Sequence, residues 1–204
     1  MPKEFLTEVD LKAELRAAGS AGTSGQVLQS QGAGQPPAWA NATSGSGTKT
    51  YAVFTPRDNQ PPASGFATLD TRNSIAVLDF DAAATETAVF VGVMPEGASL
   101  GSGLIVRIIF AATSATSGNV RWSVAFERGN TDLDADSFAT AAAANVAVAG
   151  TSGIAAVASI TITTIDSIAA GDLFRLIVQR IGGDAGDTAT GDAELIAVEV
   201  RSAA

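Results

Sequence analysis

Apolar and polar residues alternate with a period of two over most of the chain after about residue 50. The alternation is clearest at Val120, Trp122, Val124 and Phe126, which would share one face while the intervening polar residues face water. Similar short runs, rich in β-branched and aromatic residues, are bounded by Gly, Asp, Asn and Pro. They predict nine strands, at residues 50–55, 74–80, 88–93, 104–111, 119–127, 146–149, 154–163, 173–179 and 194–201.

Two features of these runs refine the predicted sheet. Residues 104–110 are apolar except for Arg107, which predicts a central strand buried on both faces. Arg107 and Arg175, each inside an apolar strand, should pair with a carboxylate across the sheet or across a subunit boundary. Residues 138–144 fit either a helical turn or an apolar loop. Because no helix-period run separates the strands, we predict a mainly β protein with a jelly-roll-like β-sandwich at residues 50–204.

The N-terminal residues carry helix signals instead. Thr7 fits an N-cap, Leu6 and Leu11 fit a hydrophobic staple, and Gly19 fits a C-cap. They predict a short helix at about 8–18, within an N-terminal segment of residues 1–19. Its apolar side chains fall on two opposite sides, so the helix should be held between partners, or else pack on its own domain. The apolar side chains available for such a contact are Phe5, Leu6, Val9, Leu11 and Leu15.

Residues 20–49 are dense in Gly, Ser, Ala and Pro. The stretch has too few apolar residues to offset its chain entropy as an independent domain. It is predicted to be an extended Gly/Ser-rich linker, with docking points at Val27, Leu28 and Trp39.

Composition excludes several classes of function. The 204 residues contain neither Cys nor His, so they form no disulfide, no Cys/His zinc site and no nucleophile activated by His. The net charge of -9 argues against nucleic-acid binding, which needs a basic footprint. No apolar run approaches the ~20 residues of a membrane helix, and the N-terminus lacks a secretory apolar stretch. We expect a protein made in the cytoplasm, with no cofactor and no membrane insertion.

Three strings could carry chemistry. Residues 97–101 match G-x-S-x-G, but without a His base they are predicted to form a turn. Asp132, Asp134 and Asp136 are spaced like the start of a calcium loop, yet Ser137 and Ala143 occupy its Gly and Glu positions. These aspartates are calcium candidates, with a solvated acidic loop as the alternative. Three more aspartates suggest a second calcium loop or a flexible surface loop: Asp184, Asp187 and Asp192.

Residues 22–39 carry a recurring pattern. Their sequence, GTSGQVLQSQGAGQPPAW, has a counterpart for each fixed position of G-T-x-G-Q-V-L-x-S-x-G-x-G-x-x-P-x-W. In this stretch the chain resembles a linker of bacteriophage fibre proteins. Residues 66–201 also resemble a β-sandwich module of phage virion proteins, through FVGVMPEG at 90–97, ATSATSG at 112–118 and FER at 126–128.

The resemblance implies a homotrimeric virion protein without enzymatic activity. The apolar residues Phe5, Leu6, Val9, Leu11 and Leu15 of the N-terminal segment would then be the particle anchor, which binds other virion proteins of the tail or capsid. The β-rich domain would project outward as a short tail fibre, with host-surface polysaccharide as a further partner. The alternative is a capsid decoration or head-fibre protein that stabilises the shell. Two more hypotheses stay open: an enzyme that trims host polysaccharide, and a monomeric, non-viral carbohydrate-binding module.

Overall fold

The computed structural model describes residues 16–17, 19–41, 47–129 and 137–203. The chain divides into two compact units, Met1–Ser46 and Gly47–Ala204. The described part contains twelve strands, a 3-10 turn at Pro56–Asp58 and no α-helix, so the protein is mainly β as predicted. The strands are β1 Gln26–Gln29, β2 Ala38–Asn41, β3 Thr50–Phe54, β4 Thr68–Arg72, β5 Ile75–Phe80, β6 Thr85–Val93, β7 Leu104–Ala112, β8 Asn119–Arg128, β9 Ala142–Ala147, β10 Ala156–Ile162, β11 Leu173–Ile181 and β12 Ala193–Ser202.

The second unit is a jelly roll, in which strands pair as nested partners along the chain. β5 pairs with β12, β6 with β11, β7 with β10 and β8 with β9, all antiparallel. The result is two facing sheets: a six-stranded one ordered β10-β7-β12-β5-β4, in which β3 also pairs with β12, and a four-stranded one ordered β6-β11-β8-β9. The predicted β-sandwich is therefore confirmed.

The core lies between the two sheets. Phe80, Phe110 and Trp122 are fully buried, and the Trp122 ring centroid lies 5.0 Å from that of Phe80 and 5.3 Å from that of Phe110. Phe80 and Phe110 belong to the six-stranded sheet, and Trp122 belongs to the four-stranded sheet. The alternating apolar residues of β7 and β8 therefore face the same interior, between the two sheets.

Each of the nine predicted strands has a counterpart, but the sequence pattern missed β1, β2 and β4. β4 is largely exposed and lies at the edge of its sheet, so it has no apolar periodicity to detect. β9, at residues 142–147, begins within the stretch 138–144 that was expected to form a helical turn or an apolar loop, and it overlaps the predicted strand 146–149 only at residues 146 and 147. β7 is central as predicted, but it is not buried on both faces, because alternate residues such as Ile105 and Ile109 are only half-buried.

The prediction of a helix reaching residue 18 is wrong at its C-terminal end. Ala17 forms an isolated antiparallel bridge with Ser20, and Gly19 has a φ of +84° inside that turn rather than at a helix C-cap. The anchor residues Phe5, Leu6, Val9, Leu11 and Leu15 lie outside the described residues. In the described part of the chain, no helix is long and apolar enough to cross a membrane.

Candidate functional site

The outer face of the four-stranded sheet is partly covered by the chain itself. Thr87, Ser123 and Glu127 alternate with core residues and so point away from the sandwich interior, yet each is buried. Polar side chains on an uncovered sheet face would be exposed, so other segments must lie over them. Two segments of the chain lie over this face, one along the edge of β6 and the other beside the end of β8.

The first covering segment follows β3 and runs along the edge of β6. The Gln60 N–H donates to the Val89 carbonyl at 2.8 Å, and the Thr87 N–H donates to the Gly65 carbonyl at 2.8 Å. The Ala67 N–H donates to the Thr87 carbonyl at 3.1 Å. These bonds occupy the free edge of β6 and hold Pro61 and Pro62 beside the sheet.

The second covering segment follows β8 on the opposite side. The Ser137 N–H donates to Glu127 Oε1 at 2.6 Å, and the Ala139 N–H donates to the Phe126 carbonyl at 2.9 Å. Phe138, held between them, places its ring centroid 5.0 Å from the guanidinium carbon of Arg175. This distance is typical of a cation–π contact.

A groove of about 420 Å³ lies between the two segments. Its lining consists of Gln60, Pro61, Pro62, Ala63, Thr87, Val89, Phe138, Arg175 and Ile177. Arg175 is opposite Glu127 in the β11–β8 register and forms an ion pair with it. Gln179 Nε2 donates to Thr87 Oγ1 at 2.9 Å. The floor of the groove is thus a polar network whose charges are already paired.

The open question about the two strand arginines is settled in favour of pairing within the sheet. Arg175 pairs with Glu127, and Arg107 pairs with Glu199 of β12, its direct neighbour in the β7–β12 register. Neither arginine needs a carboxylate from another subunit. The sequence alone does not distinguish pairing within the sheet from pairing across a subunit boundary.

The loop between β11 and β12 was expected to be a calcium loop or a flexible surface loop, but its Asp187 side chain is turned inward, toward a buried arginine. Arg180, fully buried, uses all five of its N–H donors here. Asp187 accepts two of them at 3.0 and 2.7 Å, and the carbonyls of Phe80, Ala189 and Gly191 accept the others at 2.9–3.0 Å. The Asp187 carboxylate therefore neutralises a buried cation instead of facing a metal.

The outer face of the six-stranded sheet carries a group of acidic side chains. Burial, with the nearby charge of Glu194, raises the pKa of Asp79 to about 6, and Asp70 and Asp192 add to the effect. Glu194 itself forms an ion pair with Arg72. Among the described residues no group of acidic side chains is arranged to hold a metal ion. The calcium candidates Asp132, Asp134 and Asp136 lie outside the described residues.

Residues 97–101 form part of the turn between β6 and β7, as expected. The Tyr51 hydroxyl donates to the Ser99 carbonyl at 3.1 Å and accepts from the Ser99 N–H at 2.8 Å. No helix follows Gly101, since β7 begins three residues later. The string therefore lacks the strand-to-helix turn of a hydrolase nucleophile.

The predicted docking residues come together on a small hairpin in the first unit. β1 and β2 pair so that Leu28 is opposite Trp39, while Val27 and Leu28 remain 48% and 42% exposed. The Trp39 indole N–H donates to the Ser20 carbonyl at 2.9 Å. Gly22 has a φ of +73°, and a Cβ on it would lie 2.7 Å from the Trp39 ring. The segment predicted as extended is thus partly a folded hairpin; what it docks to stays a prediction.

The fold and these sites define a jelly-roll β-sandwich protein. No family model matches the chain, and no curated protein matches it. Solved structures with a related fold include an arabinose-bound α-L-arabinofuranosidase, at 13% identity and a TM-score of 0.44, covering 70% of this chain and 23% of that one. They also include a carbohydrate-binding module described for specific mannan recognition, at 9% identity and a TM-score of 0.35, covering 77% of this chain and 89% of that one. At TM-scores below 0.5, these similarities support no conclusion about this chain.

Proposed function

We propose that this chain is a non-enzymatic structural protein of a bacteriophage virion. It acts as a short, homotrimeric tail fibre that is attached to the particle through its N-terminal unit and contacts the host surface. The observation that carries the proposal is the hairpin at residues 22–41. Its sequence resembles phage-fibre linkers, and its fixed residues have physical roles in one small folded unit.

Those roles account for several of the fixed positions of the pattern. Gly22 adopts a left-handed conformation beneath the Trp39 ring, where a side chain would collide. Gln26 accepts a hydrogen bond from the Thr23 N–H at 2.8 Å through its Oε1 atom. Val27 and Leu28 are left exposed. Because successive side chains of a strand point to opposite faces, each face of the hairpin presents one exposed aliphatic side chain with which a protein partner can make contact.

The fold offers a further, weaker support. Jelly rolls are frequent in viral capsid proteins and in lectins, although one fold serves many functions. The covered groove on the four-stranded sheet supplies a concave surface for the host-contacting role. A second candidate function, capsid decoration at the head, rests on the same hairpin, and a count of chains per particle separates the two.

The proposal is tested in the full-length chain with a double substitution, Val27→Ser with Leu28→Ser. We expect the variant to fold normally but to be lost from purified particles, because the exposed aliphatic side chain on each face of the hairpin is gone. Val53→Ser is the matched control, since Val53 is 57% exposed on β3 in the other unit. Normal incorporation of the double variant would exclude docking through the hairpin. Absence of the unmodified chain from particles would refute the virion proposal itself.

A further inference from the structure

We propose that the groove between the Gln60–Ala63 segment and Phe138 is a binding site for a neutral saccharide. The inference deepens the host-contacting part of the proposed function and rests on it for the place where the saccharide is found. Three features of the groove favour a neutral saccharide: its charge, its walls and the occupied edge of β6.

The charges in the groove argue against an ionic ligand. Arg175 is the one charged side chain among the described residues that line the groove, and Glu127 already neutralises it. The Glu127 side chain is only 4% exposed. An anionic ligand that drew Arg175 away would leave this carboxylate buried and unpaired, which is strongly unfavourable. A cationic ligand would find the Glu127 carboxylate already paired with Arg175. In a protein of net charge -9, the groove is an electrically neutral region.

The walls combine apolar surfaces with a few polar groups. Pro61, Pro62 and Ile177 supply rigid C–H surfaces, and Phe138 supplies an aromatic ring. A sugar ring has a matching apolar C–H face, with hydroxyl groups around its rim. Gln60 provides a side-chain amide for such hydroxyls. Thr87 accepts one hydrogen bond from Gln179 and still has a hydroxyl proton to donate. A volume of about 420 Å³ falls within the usual range of small-ligand sites, ~300–1,000 Å³.

The strand edge argues against a peptide ligand. Extended peptides bind a sheet by adding a strand to an open edge. The edge of β6 beside the groove is already occupied by backbone hydrogen bonds from Gln60, Gly65 and Ala67. The occupied edge of β6 therefore leaves no place for a peptide that binds as an added strand.

The test applies the full chain to an array of neutral glycans, acidic glycans and proline-rich peptides. We expect binding to one or more neutral glycans and to neither of the other classes. The best neutral oligosaccharide is then titrated by calorimetry. Phe138→Ala and Gln60→Ala should each raise the Kd for this oligosaccharide by about tenfold or more. Val53→Ala, on the other sheet, should leave the Kd unchanged.

Three results would overturn the inference: no binding to any neutral glycan, preferential binding to acidic glycans or peptides, or undiminished binding by both groove variants. Thermal unfolding of each variant checks that the fold is retained. Immunodetection of the chain in purified particles separates this inference from the proposed function. Chain present in particles without glycan binding refutes the groove alone, whereas glycan binding by a chain absent from particles refutes the virion role alone.

Discussion

Buried and half-buried charges dominate this protein at the scale of single residues. Arg180 is completely enclosed, yet each of its donors has an acceptor. Such a fully satisfied ion is costly to disturb, because removing one partner leaves the other buried and unpaired. The predicted strand ended at Gln179, one residue before Arg180, because a charged side chain at an inward position is typical of the end of a buried strand. Its partner lies in a loop, and that pairing becomes visible only in three dimensions.

Asp187→Asn should destabilise the protein by about 3–5 kcal/mol, because it leaves the Arg180 charge buried without its counterion. Urea unfolding at neutral pH measures the change. Asp184→Asn is the control: Asp184 pairs with Arg121 at 3.4 Å, and both side chains are more than one-third exposed. Its loss should cost about 1 kcal/mol or less. Equal effects of the two substitutions would contradict the role given to Asp187.

Asp79 should make stability depend on pH between about 4 and 6. Burial and neighbouring carboxylates raise its pKa to about 6 in the folded chain, above the ~3.9 of an unfolded aspartate. The folded state therefore binds more protons in this window, and the contribution of Asp79 to stability falls as the pH rises through it.

Asp79→Asn should remove that component and raise stability at pH 7.5 by about 1 kcal/mol, after allowance for solvent screening. Denaturant unfolding at pH 4.5 and pH 7.5 checks this. A variant whose profile parallels that of the unmodified chain would rule out Asp79 as the titrating group.

At the scale of elements, burial decides what the sequence could predict. The inward-facing residues of β7 and β8 impose a period of two, so those strands were predicted almost to their ends. β4 lacks this signal because its edge position leaves it largely exposed. β9 is rich in alanine, which has no strong preference for a strand. The groove was also missed, because its walls are about 75 residues apart in the chain.

The hairpin of the first unit is the element on which the proposed function depends most. Gly22→Ala should disrupt it, because the new Cβ would collide with the Trp39 ring and a φ of +73° is strained for alanine. The indole N–H resonance of Trp39 should lose its hydrogen-bonded chemical shift, while that of Trp122, buried in the sandwich core, should stay unchanged.

Gly25→Ala is the matched control for that substitution. Gly25 has a similar φ of +86°, but a Cβ there would meet nothing within 4 Å. Both variants therefore carry the backbone strain of a positive φ, but only Gly22→Ala also collides with Trp39. If the Trp39 resonance responds equally to both, strain alone explains the effect and the packing of Gly22 under the ring is irrelevant.

At the scale of the whole molecule, the jelly roll was predictable and the assembly was not. Strand count, spacing and alternation together point to a two-sheet sandwich, and the nested pairing of β5 to β12 bears this out. A trimer depends instead on surfaces between chains. Exposed aliphatic residues such as Leu69, Ile75 and Val157 are available on the six-stranded sheet for such contacts.

The most direct test of the virion proposal is the molar mass of the purified full-length chain by light scattering, together with its copy number in purified particles. The proposal predicts a mass three times the 20.4 kDa of one chain, and a few to a few tens of copies per particle. Trimers present in hundreds of copies would shift the assignment to capsid decoration. A monomer that is absent from particles would contradict the virion proposal altogether.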